Sequence, residues 1–232
     1  MSLPDLMWQM AYGRLAWAIV IAALLCSWWP AAWRLARPKA VALLLAGAAL
    51  QALPGAASPA YWLGLAFQWP SAAMTGFCVL RLVQAWRGAR DAVPASLQRA
   101  RQGSWQHDAQ QRTTLTPAIA AAIALAGAVL YLDGMGVLAI GLYYWGFGPT
   151  AAPALALLLA LACAAAAIAG RARAQALALL FALTLFSVLR LPTGNLWDAL
   201  LDPVLWGWAM VSLGLHAWRR RPHAGAVHPI EE

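Results

Sequence analysis

The sequence predicts an all-α protein: a polytopic transmembrane helical bundle of about seven spans, N-terminus outside and C-terminus cytoplasmic. Three observations carry this. The 232 residues are 63% hydrophobic and only 10% charged, with mean hydropathy +0.65. A soluble domain is roughly one-quarter charged and under half apolar, while a disordered chain is rich in charge and poor in apolar residues. The apolar residues fall in runs near the length an α-helix needs to cross the hydrocarbon core, about 20 residues. The bases then sort to one side of those runs.

Leu15–Trp33 is the first run, ended by Arg34. It does not read as a cleaved signal peptide, because Arg14 is the only base before it and Arg34, Arg37 and Lys39 follow. Pro38–Leu53 is short and stops at Pro54-Gly55. Ala60–Ala85 is third, with Pro70 predicting a kink within it. The polar stretch Trp86–Thr113 follows as a cytoplasmic loop. Leu115–Leu132 is fourth, closed by Asp133-Gly134, and Ala151–Gly170 fifth, dominated by Ala and Leu. Ala174–Leu189 and Val204–Trp218 are sixth and seventh. Residues 1–218 form one integral membrane domain, and 219–232 a flexible cytoplasmic tail.

Cytoplasmic loops of membrane proteins carry an excess of Lys and Arg. With the N-terminus outside, all but Arg14 and Arg190 of the 16 bases lie inside, and Asp5, Asp133, Asp198 and Asp202 lie outside. The net charge of +8 therefore calls for no nucleic acid. The expected partners are the bilayer, anionic lipids at the cytoplasmic face and other membrane-protein subunits, in a bacterial inner membrane. Each base near such a surface contributes about 1 kcal/mol of attraction. Many of the 14 Trp, among them Trp8, Trp62, Trp86, Trp145, Trp197 and Trp218, sit at span ends as an interfacial belt. Trp69, Trp206 and Trp208 lie deeper, where they serve helix packing or line a cavity.

Spans one to three can be laid over five to seven: Arg34-x-x-Arg37 with Leu53-Pro54-Gly55 against Arg171-x-Arg173 with Leu191-Pro192-Thr193-Gly194. That is a candidate 3+1+3 parallel repeat, although Ala/Leu helices align easily by chance. The layout resembles sugar-efflux transporters built from triple-helix repeats, and the helix count resembles rhodopsins. The Pro-Gln motif of the first is absent, Val204–Trp218 has no retinal-holding Lys, and no family is assigned.

Ionisable groups within the bilayer are costly and mark function, and no Asp, Glu, Lys or His lies near the middle of a predicted span. That disfavours ion-coupled transport and intramembrane proteolysis. His107, His216, His223 and His228 have no haem or metal spacing, and Cys26, Cys78 and Cys163 form no CxxC pair. No cofactor, no metal site and no catalytic set is expected. Gly134 and Gly136, with Ala-rich span five, are candidate points of close helix approach.

Two groups of side chains remain as binding candidates. Leu191–Pro203 contains Asn195 three residues before Asp198 and then Pro203, an N-cap, an acidic N3 and a stop, hence a short interfacial helix. Asp198 and Asp202 are four apart, which puts both carboxylates on one helical face. With Asp133, Tyr143, Tyr144 and Trp145 they are candidates for an outer lip that binds a cation or sugar, against the favoured reading of helix capping and pairing with Arg190. Gln51, Gln68, Thr75, Thr184 and Ser187 are candidate polar lining of a solute path. Three functions follow: a non-catalytic accessory or assembly subunit of a membrane complex, a facilitator for a small neutral solute or lipid, or a membrane enzyme with an outward Asp site. The first asks for no motif that the chain lacks.

Overall fold

The computed structural model describes residues 4–28, 45–90, 115–170 and 172–219. The loop bases of 34–39 and 91–113, Arg171, His107, the far end of the first predicted span and the 220–232 tail lie outside the described residues. Within them every regular element is helical: α1 (Leu6–Trp28), α2 (Pro59–Phe67), α3 (Ala72–Arg90), α4 (Pro117–Gly134), α5 (Leu142–Trp145), α6 (Ala151–Ile168), α7 (Arg173–Leu189), α8 (Leu196–Leu200) and α9 (Pro203–Arg219). Residues 45–51 are also helical, and Gly55–Ala57 form a 3-10 turn.

Three helices are long and apolar enough to cross a membrane: Leu6–Cys26 of α1, Pro117–Gly134 and Ala151–Ile168. Two shorter apolar helices, Ala72–Gln84 and Arg173–Leu189, accompany them. Large apolar side chains point outward along these helices, including Leu125 on α4 and Leu157, Leu158 and Leu161 on α6. An apolar exterior of this extent is what a bilayer, not water, tolerates.

Element boundaries follow local chemistry. The first helix starts well before the predicted Leu15, because Asp5 accepts the Met7 amide at 2.8 Å and a helix tolerates Gln9 and Arg14 on its surface. The α4 start is a Thr116 N-cap whose hydroxyl accepts from the Ile119 amide at 3.4 Å, followed by Pro117 at the position that needs no N–H donor. The helix of α3 continues to Arg90, past Trp86, where the polar loop was expected; polar residues end the apolar run but not the hydrogen-bonded helix.

The third predicted span is two helices rather than one kinked helix. α2 ends at Gln68, whose φ of 62° and ψ of −165° lie in a region that side chains other than glycine rarely occupy. Pro70 follows, and Ser71 starts α3 by accepting the Met74 amide at 2.9 Å. The break is held from outside: Tyr12 donates to the Pro70 carbonyl at 2.7 Å, and the Trp17 indole donates to the Gln68 carbonyl at 3.2 Å.

α7 packs between α6 and α3, α3 also packs on α1, and α4 pairs with α9. Their shared core joins Trp17 and Val20 of α1, Met74, Phe77 and Cys78 of α3, Ala120 of α4, Ala178 and Ala182 of α7, and Leu205 and Ala209 of α9. Lipid tails are as apolar as leucine, so close packing must hold such helices together, and small residues permit it. A Cβ on Gly76 would lie 3.2 Å from that of Ala178, and one on Gly127 would overlap the Trp206 ring. Gly76 and Gly127 are thus among the points of close approach. Gly134 meets only Tyr143, at 3.8 Å, and Gly136 meets nothing, against the sequence expectation.

The tryptophans expected to lie deeper all pack, Trp69 within the 68–71 break rather than within a span. Trp69 fills the space left by Gly13 and Gly64. Trp206 lies edge-on to Tyr131 and donates to the Ala124 carbonyl at 3.0 Å. Trp208 takes the Arg81 guanidinium over its ring at 5.9 Å. Trp8, Trp62, Trp86, Trp145 and Trp218 are exposed. Trp197 is instead tied inward, its indole donating to the Leu142 carbonyl at 2.9 Å. The cysteines remain free thiols in unlike settings: Cys26 exposed, Cys78 buried, Cys163 between.

Candidate functional site at the loop end of the bundle

Three segments meet at one end of the bundle: the 68–71 break, the turn from Asp133 through α5, and 190–202. Leu196 donates its amide to the Gly146 carbonyl at 3.1 Å, and Ser71 donates its own to Asp202 Oδ2 at 2.6 Å. The acidic residues expected as an outer lip all lie here, each with its own partners.

Asp133 organises the turn after α4. Its Oδ1 accepts the amides of Ile140 and Gly141 at 2.7 and 2.8 Å, and its Oδ2 accepts that of Tyr143 at 2.8 Å. Three backbone donors fill the carboxylate and start α5, whose N-cap Gly141 has the left-handed φ of 76°. Asp133 therefore anchors a loop and presents no free oxygen pair to a ligand. Tyr144 and Trp145, its expected companions in a lip, are exposed.

Asp198 and Asp202 do not share a helical face. α8 runs only to Leu200, and Leu201 is extended with φ −141° and ψ 133°. The residue before a proline is steered away from helical dihedrals, so Asp202, preceding Pro203, cannot continue α8. It becomes the N-cap of α9 instead, its Oδ1 accepting the Leu205 amide at 2.7 Å. Its other oxygen accepts from Ser71, the N-cap of α3. One carboxylate, 5% exposed, thus bridges two helix N-termini, where amide donors and the helix dipoles favour an anion.

Asp198 turns the other way. Thr193 Oγ1 donates to its Oδ2 at 2.5 Å, and the Tyr143 hydroxyl donates to Oδ1 at 3.2 Å with a longer 3.5 Å approach to Oδ2. Burial raises the Asp198 carboxyl above its ordinary value, with the Thr193 and Tyr143 hydrogen bonds opposing it. Burial and the neighbouring Asp198 charge push the Tyr143 phenol up to about 12. Asn195 caps α8 as the sequence predicted, accepting the Trp197 amide at 3.0 Å.

Arg190 pairs with neither aspartate. It holds the left-handed C-cap of α7, φ 56°, and its guanidinium lies 5.0 Å over the Phe186 ring. Its NH1 is buried without a hydrogen-bond partner. Cation–π contact and loop geometry, not an ion pair, fix it.

The candidate polar lining does not converge. Gln51 and Thr75 are buried, while Gln68, Thr184 and Ser187 are exposed. Thr75 donates to the Ser71 carbonyl at 3.0 Å and Thr184 to the Leu180 carbonyl at 2.8 Å, each within one turn of its own helix. Among the described residues no group of three or more His, Cys, Asp or Glu is placed to hold a metal ion.

Ser71 and Tyr131 were not singled out in the sequence. Ser71 was accessible through the Trp69-Pro70-Ser71 breaker preceding an apolar run. Tyr131 had no such signal.

Fold and site together define a helical membrane protein with a polar, acid-rich end. No protein-family model, no curated protein and no solved structure matches the chain.

Proposed function

We propose that the chain is a non-catalytic accessory or assembly subunit of a bacterial inner-membrane complex, with seven spans, N-terminus outside, C-terminus cytoplasmic and the acid-rich end outward. The observation that carries this is the use of the acids. Asp133 and Asp202 are occupied by backbone amides, so this end supports architecture rather than an acid–base pair. α6 supports the same reading: it packs along α7 and turns Leu157, Leu158 and Leu161 outward, a face available to lipid or to a neighbouring helix. The loop bases would rest on anionic lipid at the inner face. Purification of the full chain in mild detergent tests the proposal. A stoichiometric co-purifying membrane protein is expected; a stable, partner-free monomer as the sole species would contradict it.

A second reading has one observation in its favour. A short helix, a break and a long helix occur twice, as α2–α3 and as α8–α9, and the two long helices begin side by side at Ser71 and Asp202. Paired broken helices at a repeat interface are a transporter arrangement. A facilitator for a small neutral solute would then show flux in reconstituted vesicles; absence of flux across a solute panel would remove this reading.

A further inference from the structure

The turn that joins α4 to α6, residues 135–150, is built inside out. Between Asp133 and Arg171 the chain carries no Asp, Glu, Lys or Arg. The polar groups of the turn face inward. Asp133, itself buried, takes the amides of Ile140, Gly141 and Tyr143. The amides of Gly136 and Val137 end on the Asp133 and Leu132 carbonyls at 2.9 and 2.8 Å. The Leu142 carbonyl is held by the Trp197 indole, and that of Gly146 by the Leu196 amide. The apolar side chains face outward: Met135, Val137, Ile140, Tyr144 and Trp145 are each more than half exposed. A turn in water shows the reverse pattern, and an outward apolar surface of this kind marks contact with a membrane or a protein.

We infer that residues 135–147 form an interfacial anchor lying in the membrane surface, with Met135, Val137 and Ile140 at the acyl boundary and Tyr144 and Trp145 among the headgroups. Place in the chain selects the bilayer over a protein partner. The turn connects two helices long and apolar enough to cross a membrane, Pro117–Gly134 and Ala151–Ile168, so it stands at the level where both leave the hydrocarbon. Its outward side chains continue the apolar exterior of α4, which Leu132 carries to the helix end. The chemistry agrees. Tyrosine and tryptophan favour the headgroup region, where the ring body is in apolar surroundings and the polar edge meets water. Backbone near the hydrocarbon must find its hydrogen bonds within the protein, as the amides of Gly136, Val137, Ile140, Gly141 and Tyr143 do. Because the turn is uncharged, its contact depends on apolar burial and not on anionic lipid, unlike the basic loops proposed for the inner face. The anchor rests on α4 and α6 spanning a bilayer and is independent of the assembly role.

Spin-label accessibility tests the anchor. In a chain with Cys26, Cys78 and Cys163 replaced by Ala, Ile140→Cys and, separately, Leu161→Cys on the outward face of α6 are labelled with a nitroxide. Each full chain is placed singly in phosphatidylcholine nanodiscs, with and without phosphatidylglycerol. Oxygen concentrates in lipid and an uncharged nickel chelate in water, so the ratio of the two collision rates reads depth. The Ile140→Cys label is expected to collide with oxygen several-fold more often than with the chelate, less markedly than the Leu161→Cys label, and equally in both lipids. A chelate-accessible Ile140→Cys label beside a lipid-buried Leu161→Cys label overturns the anchor and leaves the spans intact. An Ile140→Cys label screened from both collision partners shows a protein-covered face and overturns it as well, as does insertion seen only with phosphatidylglycerol. Water exposure at both positions removes the spanning reading, and the anchor with it.

Discussion

The Ser71 amide donates to Asp202 Oδ2 at 2.6 Å, across 131 residues of chain. The same carboxyl group accepts the Leu205 amide at 2.7 Å, so the starts of α3 and α9 share one side chain. Replacing Asp202 by Ala orphans both buried donors, at roughly 1–3 kcal/mol each. Asp202→Ala is therefore expected to lower unfolding stability by about 3 kcal/mol, measured by thermal or steric-trap unfolding in bicelles. Asp202→Asn, which keeps one acceptor oxygen, should lose less. Equal, negligible losses would show that the shared carboxyl group contributes nothing.

Asp198 gives a pH signature. Its folded pKa is raised by burial above the ordinary 3.8, so between those two values the folded state holds more proton than the unfolded. Stability then falls as pH rises across that window and levels off above it. Asp198→Asn should flatten part of this slope, leaving the share of Asp202, which burial also raises. A slope unchanged by Asp198→Asn contradicts the assignment.

Gly127 sits under Trp206, and a Cβ there would overlap the indole. Gly127→Ala must displace the ring, with the loss of its 3.0 Å bond to the Ala124 carbonyl. Overpacking of this kind costs about 1–3 kcal/mol. The expected result is a lowered Tm, with Gly207→Ala, whose added Cβ would meet nothing, as a near-neutral control.

Tyr131→Phe is expected to leave the protein unchanged or to stabilise it by about 1 kcal/mol, because the buried hydroxyl has no protein partner. A marked loss of stability would mean that the hydroxyl makes a structural bond.

Much of the helical skeleton was legible in the sequence, because length of apolar run and capping chemistry are local. Asn195 and Pro203 marked α8 and its end, and Thr116-Pro117 sits at the start of α4. What required the third dimension was pairing. The spacing of Asp198 and Asp202 suggested one helical face, but Pro203 ends the helix between them and sends Asp202 to a residue 131 positions away. The polar lining failed for a similar reason: Thr184 satisfies itself on its own helix, and nothing in a sequence distinguishes that from lining a path. Gly134 and Gly136 stand near a helix end, yet glycines that pack closely include Gly13, Gly76 and Gly127, identified only by the Trp69, Ala178 and Trp206 side chains opposite them.

The central claim is an embedded helical bundle whose acid-rich end faces out. It is tested most directly by cysteine labelling in intact cells, with Cys26, Cys78 and Cys163 replaced by Ala. Tyr144, exposed on α5, and Trp218, exposed near the end of α9, are each changed to Cys. An impermeant maleimide is predicted to label the Tyr144→Cys protein in intact cells and the Trp218→Cys protein only after permeabilisation. The reverse pattern, or labelling of both without permeabilisation, would contradict it.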